Sequence, residues 1–465
     1  MATLVVPAVL RSFAQEREEI ESDAATVAQA IAEISSHLPH LAARIVDETG
    51  TLRRHVSLFV NDQQASLEQA LHSGDRVYIV PAISGGKDDA SEGSPSKVEI
   101  LLGTKKGLLA LRGPRGGALT TSARQFPGEA VEYAIRDPRT GRVFASVTHG
   151  QFGPRLFYSD DPAAEAGWQE AALSFPEDAG TALERIWVVT PGELPGELWA
   201  GVAPAALFHS SDDGATWRLV RGLFDQPTRA EWSGGLGGLA LHSICPWPGE
   251  PLRLSVAISA VGVWHTEDGG ESWHRGVQGL VPRYLPAEAR EGTLMHCVHK
   301  LLRAPLEPRT LYLQFHGGVY RSDDAGESWQ EIGGVGRAKG LPADFGFPLA
   351  LDPRDPCRAF VVPLVSDFDR VTPEGRVRVF ETRDRGESWI ARGEGLPQTD
   401  AHLTILRQAF SIDGGDPLGL YFGATSGELF GSFDDGQTWS TIAKNLPPIH
   451  SVQSSFIGFE EKLRA

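Results

Sequence analysis

SDDAGESW, residues 322–329, decides the fold, because its pattern returns along the chain. Ser322-x-Asp324-x-Gly326-x-Ser328-Trp329 is preceded by Ser210-x-Asp212-x-Gly214-x-Thr216-Trp217 and Thr266-x-Asp268-x-Gly270-x-Ser272-Trp273. It is followed by Thr382-x-Asp384-x-Gly386-x-Ser388-Trp389 and Ser432-x-Asp434-x-Gly436-x-Thr438-Trp439. A decayed copy runs from Tyr158-Ser159-Asp160-Asp161 to Trp168. Successive Trp residues stand 49, 56, 56, 60 and 50 positions apart. A repeat of that period is the mark of a modular architecture in which each unit buries its apolar face on the next. Each motif follows a pair of short β runs and precedes another, as in TLYLQF, GGVYRS and SWQEI. The motif is therefore a turn between the third and fourth strands of a four-stranded unit. The Asp carboxylate accepts the turn's backbone N–H groups, Gly supplies the positive φ, and Trp packs between neighbouring units. Asp212, Asp268, Asp324, Asp384 and Asp434 are thus expected to serve the fold rather than chemistry.

Four-stranded units at this period predict a β-propeller. Upstream of the first motif, VEILLGT (98–104), KGLLALR and ALTTSARQF supply three strands and lack an innermost one, while IHSVQSSFIG (449–458) is a spare strand at the far end. If the tail closes the ring, residues 98–465 make seven blades of about 53 residues; six blades is the alternative.

The first 86 residues read differently. LVVPAVL (4–10), HVSLFVN (55–61) and DRVYIVP (75–81) read as strands. Val27, Ile31, Ile34, Leu38 and Leu41 line one face of a helix that Asp23 could cap. This is a small α+β domain, separated from the propeller by the polar linker KDDASEGSPSK (87–97). The chain of 465 residues is therefore multidomain. Its net charge of −17 excludes non-specific nucleic-acid binding and anionic membrane surfaces. Three dispersed cysteines exclude a disulfide framework and fit a reducing compartment. No apolar run is long enough to cross a membrane, and the N-terminal stretch lacks a basic region and a cleavage site, so a cytoplasmic location is expected.

The segment HVSLFVNDQQASLEQALHSGDRVYIVPAISGG (55–86), a strand, a turn, a short helix and then G-D-x-V-x-I-x-P-A-x-x-G-G, resembles the MoaD/ThiS-type β-grasp (ubiquitin-like) sulfur carriers. The resemblance implies that Gly85 and Gly86 form a carrier diglycine, which in that family is the chain end, is adenylated and becomes a thiocarboxylate. It also implies a sulfur-transfer or adenylating enzyme as partner. Here Lys87 follows Gly86. An internal peptide bond cannot be adenylated, so either a protease cuts after Gly86 or the domain is a docking module. The repeated motifs resemble the Asp-box (BNR) repeats of sialidases, sortilin-type receptors and photosystem-assembly propellers. Residues 130–410 further resemble a bacterial BNR-repeat group labelled exo-alpha-sialidase or glycosyl hydrolase, through GLGGLALHSI (235–244), CVHKLLR (297–303), QFHGGVYRSDD (314–324), DFGFPLALDPRDP (344–356) and VVPLVSD (361–367). The early F/Y-R-I-P motif of sialidases is not found, although Arg185, Arg303 and Arg407 lie near strand starts.

Histidines gather where the innermost strands would open the channel mouth. His242 (GGLALHSI), His296 and His299 (MHCVHK) and His402 fall on inner strands, and His149 and His316 end second strands just before Gly. Two readings stand. These imidazoles bond backbone across blades, or His242, His299, His316 and His149 form an acid/base cluster, with His242, His299 and His316 as ligands of a divalent metal. Cys297, sharing a face with His299, makes a thiol–imidazole pair conceivable. Trp232, Phe345 and Phe347 could frame the rim, and Gly234–Gly238 reads as a tight loop. The sequence thus carries a binding or scaffold propeller with a fused sulfur-carrier-like module, or a hydrolase or lyase using the histidines.

Overall fold

A computed structural model describes residues 1–6, 14, 17–38, 41–42, 45–46, 52, 56–61, 63–81, 97–164 and 166–457. The chain divides into two compact units, Met1–Gly93 and Ser94–Ala465. Gly85, Gly86 and nearly all of the linker lie outside the described residues.

In the first unit, strands β1 (Ala2–Val5), β2 (Glu19–Ser22), β3 (Val56–Val60), β4 (Gln63–Ala65) and β5 (Arg76–Pro81) form one sheet in the order β2-β1-β5-β3-β4. The central pair β1 and β5 runs parallel, and the other neighbours are antiparallel. Helix α1 (Val27–His37) buries Val27, Ala30, Ile31 and Ile34 in a shared core with Leu4, Leu58, Val77 and Ile79. The helix cap is Thr26, whose hydroxyl accepts from the Gln29 N–H, and not Asp23. Thr26 wins because its backbone is already extended one residue before the first helical turn. The short helix expected after the β3–β4 hairpin is only a turn, closed by Gln69 N–H to Ser66 O at 3.2 Å. The sheet with helix α1 packed on it is the small β-grasp arrangement.

The second unit is a mostly β body of four-stranded antiparallel sheets, the construction of a β-propeller. The first strands of six of these sheets are Ala130–Arg136, Arg185–Pro191, Ala240–Trp247, Val298–Arg303, Gly346–Leu351 and Phe410–Ile412, each followed by three antiparallel partners. A further sheet takes its first strand from the far end of the chain: Ile449–Ile457 pairs antiparallel with Lys97–Thr104, which pairs with Gly107–Pro114 and then Thr120–Gln125. All of these first strands contribute to the wall of one cavity of about 510 Å³.

Each repeated turn is held alike. Asp324 accepts from the Ser322 hydroxyl (2.7 Å), the Ser328 N–H (3.0 Å) and the Ser328 hydroxyl (2.5 Å), and Gly326 donates its N–H to Ser322 (2.8 Å). Asp212, Asp268, Asp384 and Asp434 make the same set. Gly326 sits at φ +100° with the His265 ring directly against the position a Cβ would take. Trp329 is buried and donates to Gly276 O of the neighbouring sheet. Trp389 reaches Ile332 O in the same manner.

Candidate functional site

The first strands do not run as regular ladders. In Ala130–Arg136 the register skips Glu132, in Arg185–Pro191 it skips Trp187, and in Ala240–Trp247 it skips His242. It skips His299 in Val298–Arg303, takes up one extra residue at Phe347–Pro348, and skips His450 in Ile449–Ile457. A bulge leaves one residue unpaired and re-aims its side chain. Near the start of successive sheets, the bulges therefore turn a set of unlike side chains toward one another. His450 Nδ1 comes to 3.4 Å from Glu132, and the His299 ring lies 4.9 Å from that of Phe347. Arg407, just ahead of Phe410–Ile412, lies over both Trp187 (4.8 Å) and Phe347 (5.5 Å).

One cluster of metal-ligating donors emerges among the described residues. Donor atoms of Cys297, His299 and His316 all lie within 4.8 Å of one another. Cys297 and His316 meet because Val298 pairs with Phe315, which places the next residue of each strand side by side; His316 N–H donates to Cys297 O at 3.0 Å. The bulge brings in His299, whose Nδ1 bonds Gly346 O at 2.6 Å, with no hydrogen bond to Nε2 among the described residues. Phe345, Phe347 and Tyr284 wall the cluster, their rings lying within 4.5–5.2 Å of the imidazoles. Asp367 stands 3.6 Å from His316 Nε2.

The electrostatics are those of a desolvated and locally cationic pocket. Burial holds His299 well below the ordinary histidine range, and the Arg407 charge adds to it. Burial lowers His316 too, with Asp367 pulling the other way. Burial pushes the Cys297 thiol up, opposed by the Ser259 hydroxyl at 3.7 Å and by Arg407 and Arg370. Arg407 itself is 8% exposed and brought down to about 10 by burial. Among the described residues no carboxylate lies within ion-pair distance of it, and its Nε has no hydrogen-bond partner. Burying a cation without a counter-charge is costly.

The remaining sequence candidates go elsewhere. His242 does not join the donor cluster: Nε2 bonds Val298 O of the adjacent sheet at 3.0 Å and Nδ1 meets Ser243 Oγ on its own strand at 3.1 Å, so both nitrogens are already engaged. His149 sits apart, accepting from Gln151 and Phe152 N–H on Nδ1 and facing Glu129 at 3.5 Å, because its sheet lies away from the one that carries Cys297. His402 is exposed on the approach to the Phe410–Ile412 strand, not on it. His296 turns from the cluster to take a hydrogen bond from Arg275 at 2.7 Å. Gly234–Gly238 is a tight loop, closed by Gly238 N–H to Gly235 O. Sequence reasoning passed over Lys300, which bonds Gln408, lines the cavity beside His242 and is lowered by burial to about 8. It also passed over Arg370, over the Phe347 ring at 5.4 Å, and the partnerless state of Arg407. Of these only Lys300, a basic residue inside the apolar run of Val298–Arg303, carried a signal in the sequence.

No described helix is long and apolar enough to cross a membrane. A solved ancestral GH74 enzyme overlaps 76% of this chain at 16% identity and TM-score 0.47, and this chain spans 40% of that structure. The sulfur carrier protein CysO of Mycobacterium tuberculosis is 28% identical over 90 residues, 18% of this chain and 97% of its own. Small archaeal modifier protein 1 of Haloferax volcanii is 31% identical over 70 residues, 15% of this chain and 79% of its own. The ThiS family model matches residues 4–86, the span that holds the β2-β1-β5-β3-β4 sheet and its helix. Through residues 4–86 the chain therefore belongs to the ThiS family.

Proposed function

We propose that this chain joins a sulfur-carrier-type module, residues 1–86, through a linker at 87–97, to a seven-bladed Asp-box propeller, residues 98–465, that serves as its binding platform. The observation that carries the reading is the ThiS match, which runs to Gly86 and so includes the diglycine. A β-grasp sheet presents its last strand, here Arg76–Pro81, directly before that tail. Two glycines leave a side-chain-free extension able to enter a narrow adenylation site. The partner is accordingly an adenylating or sulfur-transfer enzyme, and the small CysO- and SAMP1-like relatives support the kind of partner. Because Lys87 follows Gly86, loading requires a protease that cuts after Gly86, at the start of the polar stretch KDDASEGSPSK. Seven four-stranded sheets and the pairing of Ile449–Ile457 with Lys97–Thr104 support a ring closed by both ends of the body, against six blades.

Intact-mass measurement of the protein isolated from its native host tests this. A fragment ending at Gly86, with a sub-population heavier by the replacement of oxygen by sulfur, is the expected result. Full-length chain alone under all growth conditions makes the first unit a docking module instead. A second reading is favoured by the convergence of Cys297, His299 and His316: the propeller is a hydrolase or lyase acting at its channel mouth. True sialidase activity lacks support from any matching arginine motif.

A further inference from the structure

One thiol and two imidazoles converge beside a buried guanidinium that has no counter-ion among the described residues. We infer that Cys297, His299 and His316 hold a zinc-class divalent cation at the propeller mouth, with an open coordination position that takes an anionic ligand paired to Arg407.

The donor set suits the ion. Thiolate and imidazole are the ligands of borderline-soft Zn²⁺, and three protein ligands with one position left open is the pattern of sites that bind a further group. With Zn–S near 2.3 Å and Zn–N near 2.0–2.1 Å, tetrahedral donors stand roughly 3.3–3.6 Å apart. Atoms already within 4.8 Å therefore close on the ion by side-chain adjustment of about 1 Å. The ligands are also oriented from behind. His299 Nδ1 bonds Gly346 O, which fixes Nε2 as the ligating nitrogen. Asp367 lies against His316 Nε2 and adds the negative charge that a dication needs nearby. Phe345, Phe347 and Leu364 form an apolar cluster of their own beside the site, which limits water.

The anionic ligand is argued from Arg407 independently. The described residues offer this buried cation aromatic faces, Trp187 and Phe347, but no counter-ion. The same Phe347 ring is shared with His299, so the guanidinium and the ligand set flank one ring. The glycine turn spans both: a Cβ on Gly235 would be 3.5 Å from Cys297 Sγ, and one on Gly237 would be 4.0 Å from Arg407 Nη2. Arg370 adds a second positive charge, 5.4 Å from the centre of the same Phe347 ring. A carboxylate or thiocarboxylate, with one atom on the metal and one on Arg407, supplies the negative charge that this cationic surrounding calls for. This part rests on reading the channel mouth as the binding face, whereas metal retention is independent of cleavage at Gly86.

The test uses full-length protein stripped with chelator and titrated with Zn²⁺ and with Co²⁺. Expected are one zinc per chain and a cobalt spectrum with a thiolate-to-metal charge-transfer band. Cys297→Ser should abolish that band, and His316→Gln should weaken zinc binding at least ~10-fold. His149→Ala, away from the cluster, should leave both unchanged. Should Cys297→Ser fail to fold, as judged by tryptophan fluorescence, the cobalt band of the wild type and the His316→Gln titration decide. Adding acetate or thioacetate to the cobalt protein should shift its visible bands, with at least ~10-fold more anion required in Arg407→Met. No stoichiometric metal, no charge-transfer band, or equal affinity in His316→Gln overturns the metal site. Visible bands that neither anion moves overturn the anionic ligand.

Discussion

Arg407→Met should make the anion-free protein more stable, not less. Its guanidinium is buried, has no described counter-charge, and is drawn from above 12 to about 10 by desolvation. More than 2 pH units at 1.36 kcal/mol each is about 3 kcal/mol of penalty for keeping the charge inside. Met retains the apolar stem between Trp187 and Phe347 and removes the charge. It forfeits the two cation–π contacts, together roughly 1–2 kcal/mol. The net expectation is a gain of about 1–2 kcal/mol, in the range seen when buried uncompensated ions give way to apolar side chains. Arg407→Lys, which keeps the charge, should give no gain. Urea unfolding in chloride buffer, followed by tryptophan fluorescence, measures this cleanly: all 11 Trp lie beyond residue 167, so the signal reports the second unit alone. A Met variant less stable than wild type by 1 kcal/mol or more would refute the reasoning, because Arg407 would then be satisfied by interactions that the described residues do not provide.

Trp329→Ala should cost about 3–5 kcal/mol, from a cavity among Leu280, Leu311 and Tyr320 plus the lost bond to Gly276 O; wild-type stability in denaturant would show that the repeated Trp is not a packing element. Truncation after Asn445 removes Ile449–Ile457 and exposes the edge of Lys97–Thr104, so the body should lose its cooperative melt by circular dichroism; an unchanged melting temperature contradicts closure by that strand. Stability should fall as the medium is acidified. His265, bonded to Ser255 and Gly326 O, is held at about 3 in the fold, so below its ordinary 6.5 only the unfolded chain takes up the proton. That contribution is present above 6.5 and is lost progressively toward pH 3, about 2 kcal/mol by pH 5. A His265→Gln variant whose stability changes with pH as steeply as wild type would contradict this.

Much of the fold could be read along the chain because it rests on local chemistry. The Ser/Thr-x-Asp-x-Gly-x-Ser/Thr-Trp turn closes its own hydrogen bonds within seven residues, as Asp324 with Ser322 and Ser328 shows, so its pattern survives in any context that supplies a strand on either side. The helix from Val27 and the β5 run from Arg76 were legible for the same reason, through periodicity alone. The helix cap was misplaced by three residues because Asp23 and Thr26 are equally good cap chemistry, and only the backbone angle at Thr26 chooses between them.

The site was legible only where neighbours in space are also neighbours across a hairpin. Cys297 and His316 could be brought together from the strand pairing, since the connection between Val298–Arg303 and Leu311–Phe315 sets who faces whom. The bulges at His242 and His299 could not, because a single skipped residue reverses which face a side chain takes and leaves no mark in composition. His242 consequently ties adjacent sheets while His299 joins the donors, although both looked alike in sequence. Arg407 is more than one hundred positions from His299, and no local rule relates them. Their meeting over the Phe347 ring is decided when successive first strands come together, where a charge with no counter-ion among the described residues is buried against groups from other sheets.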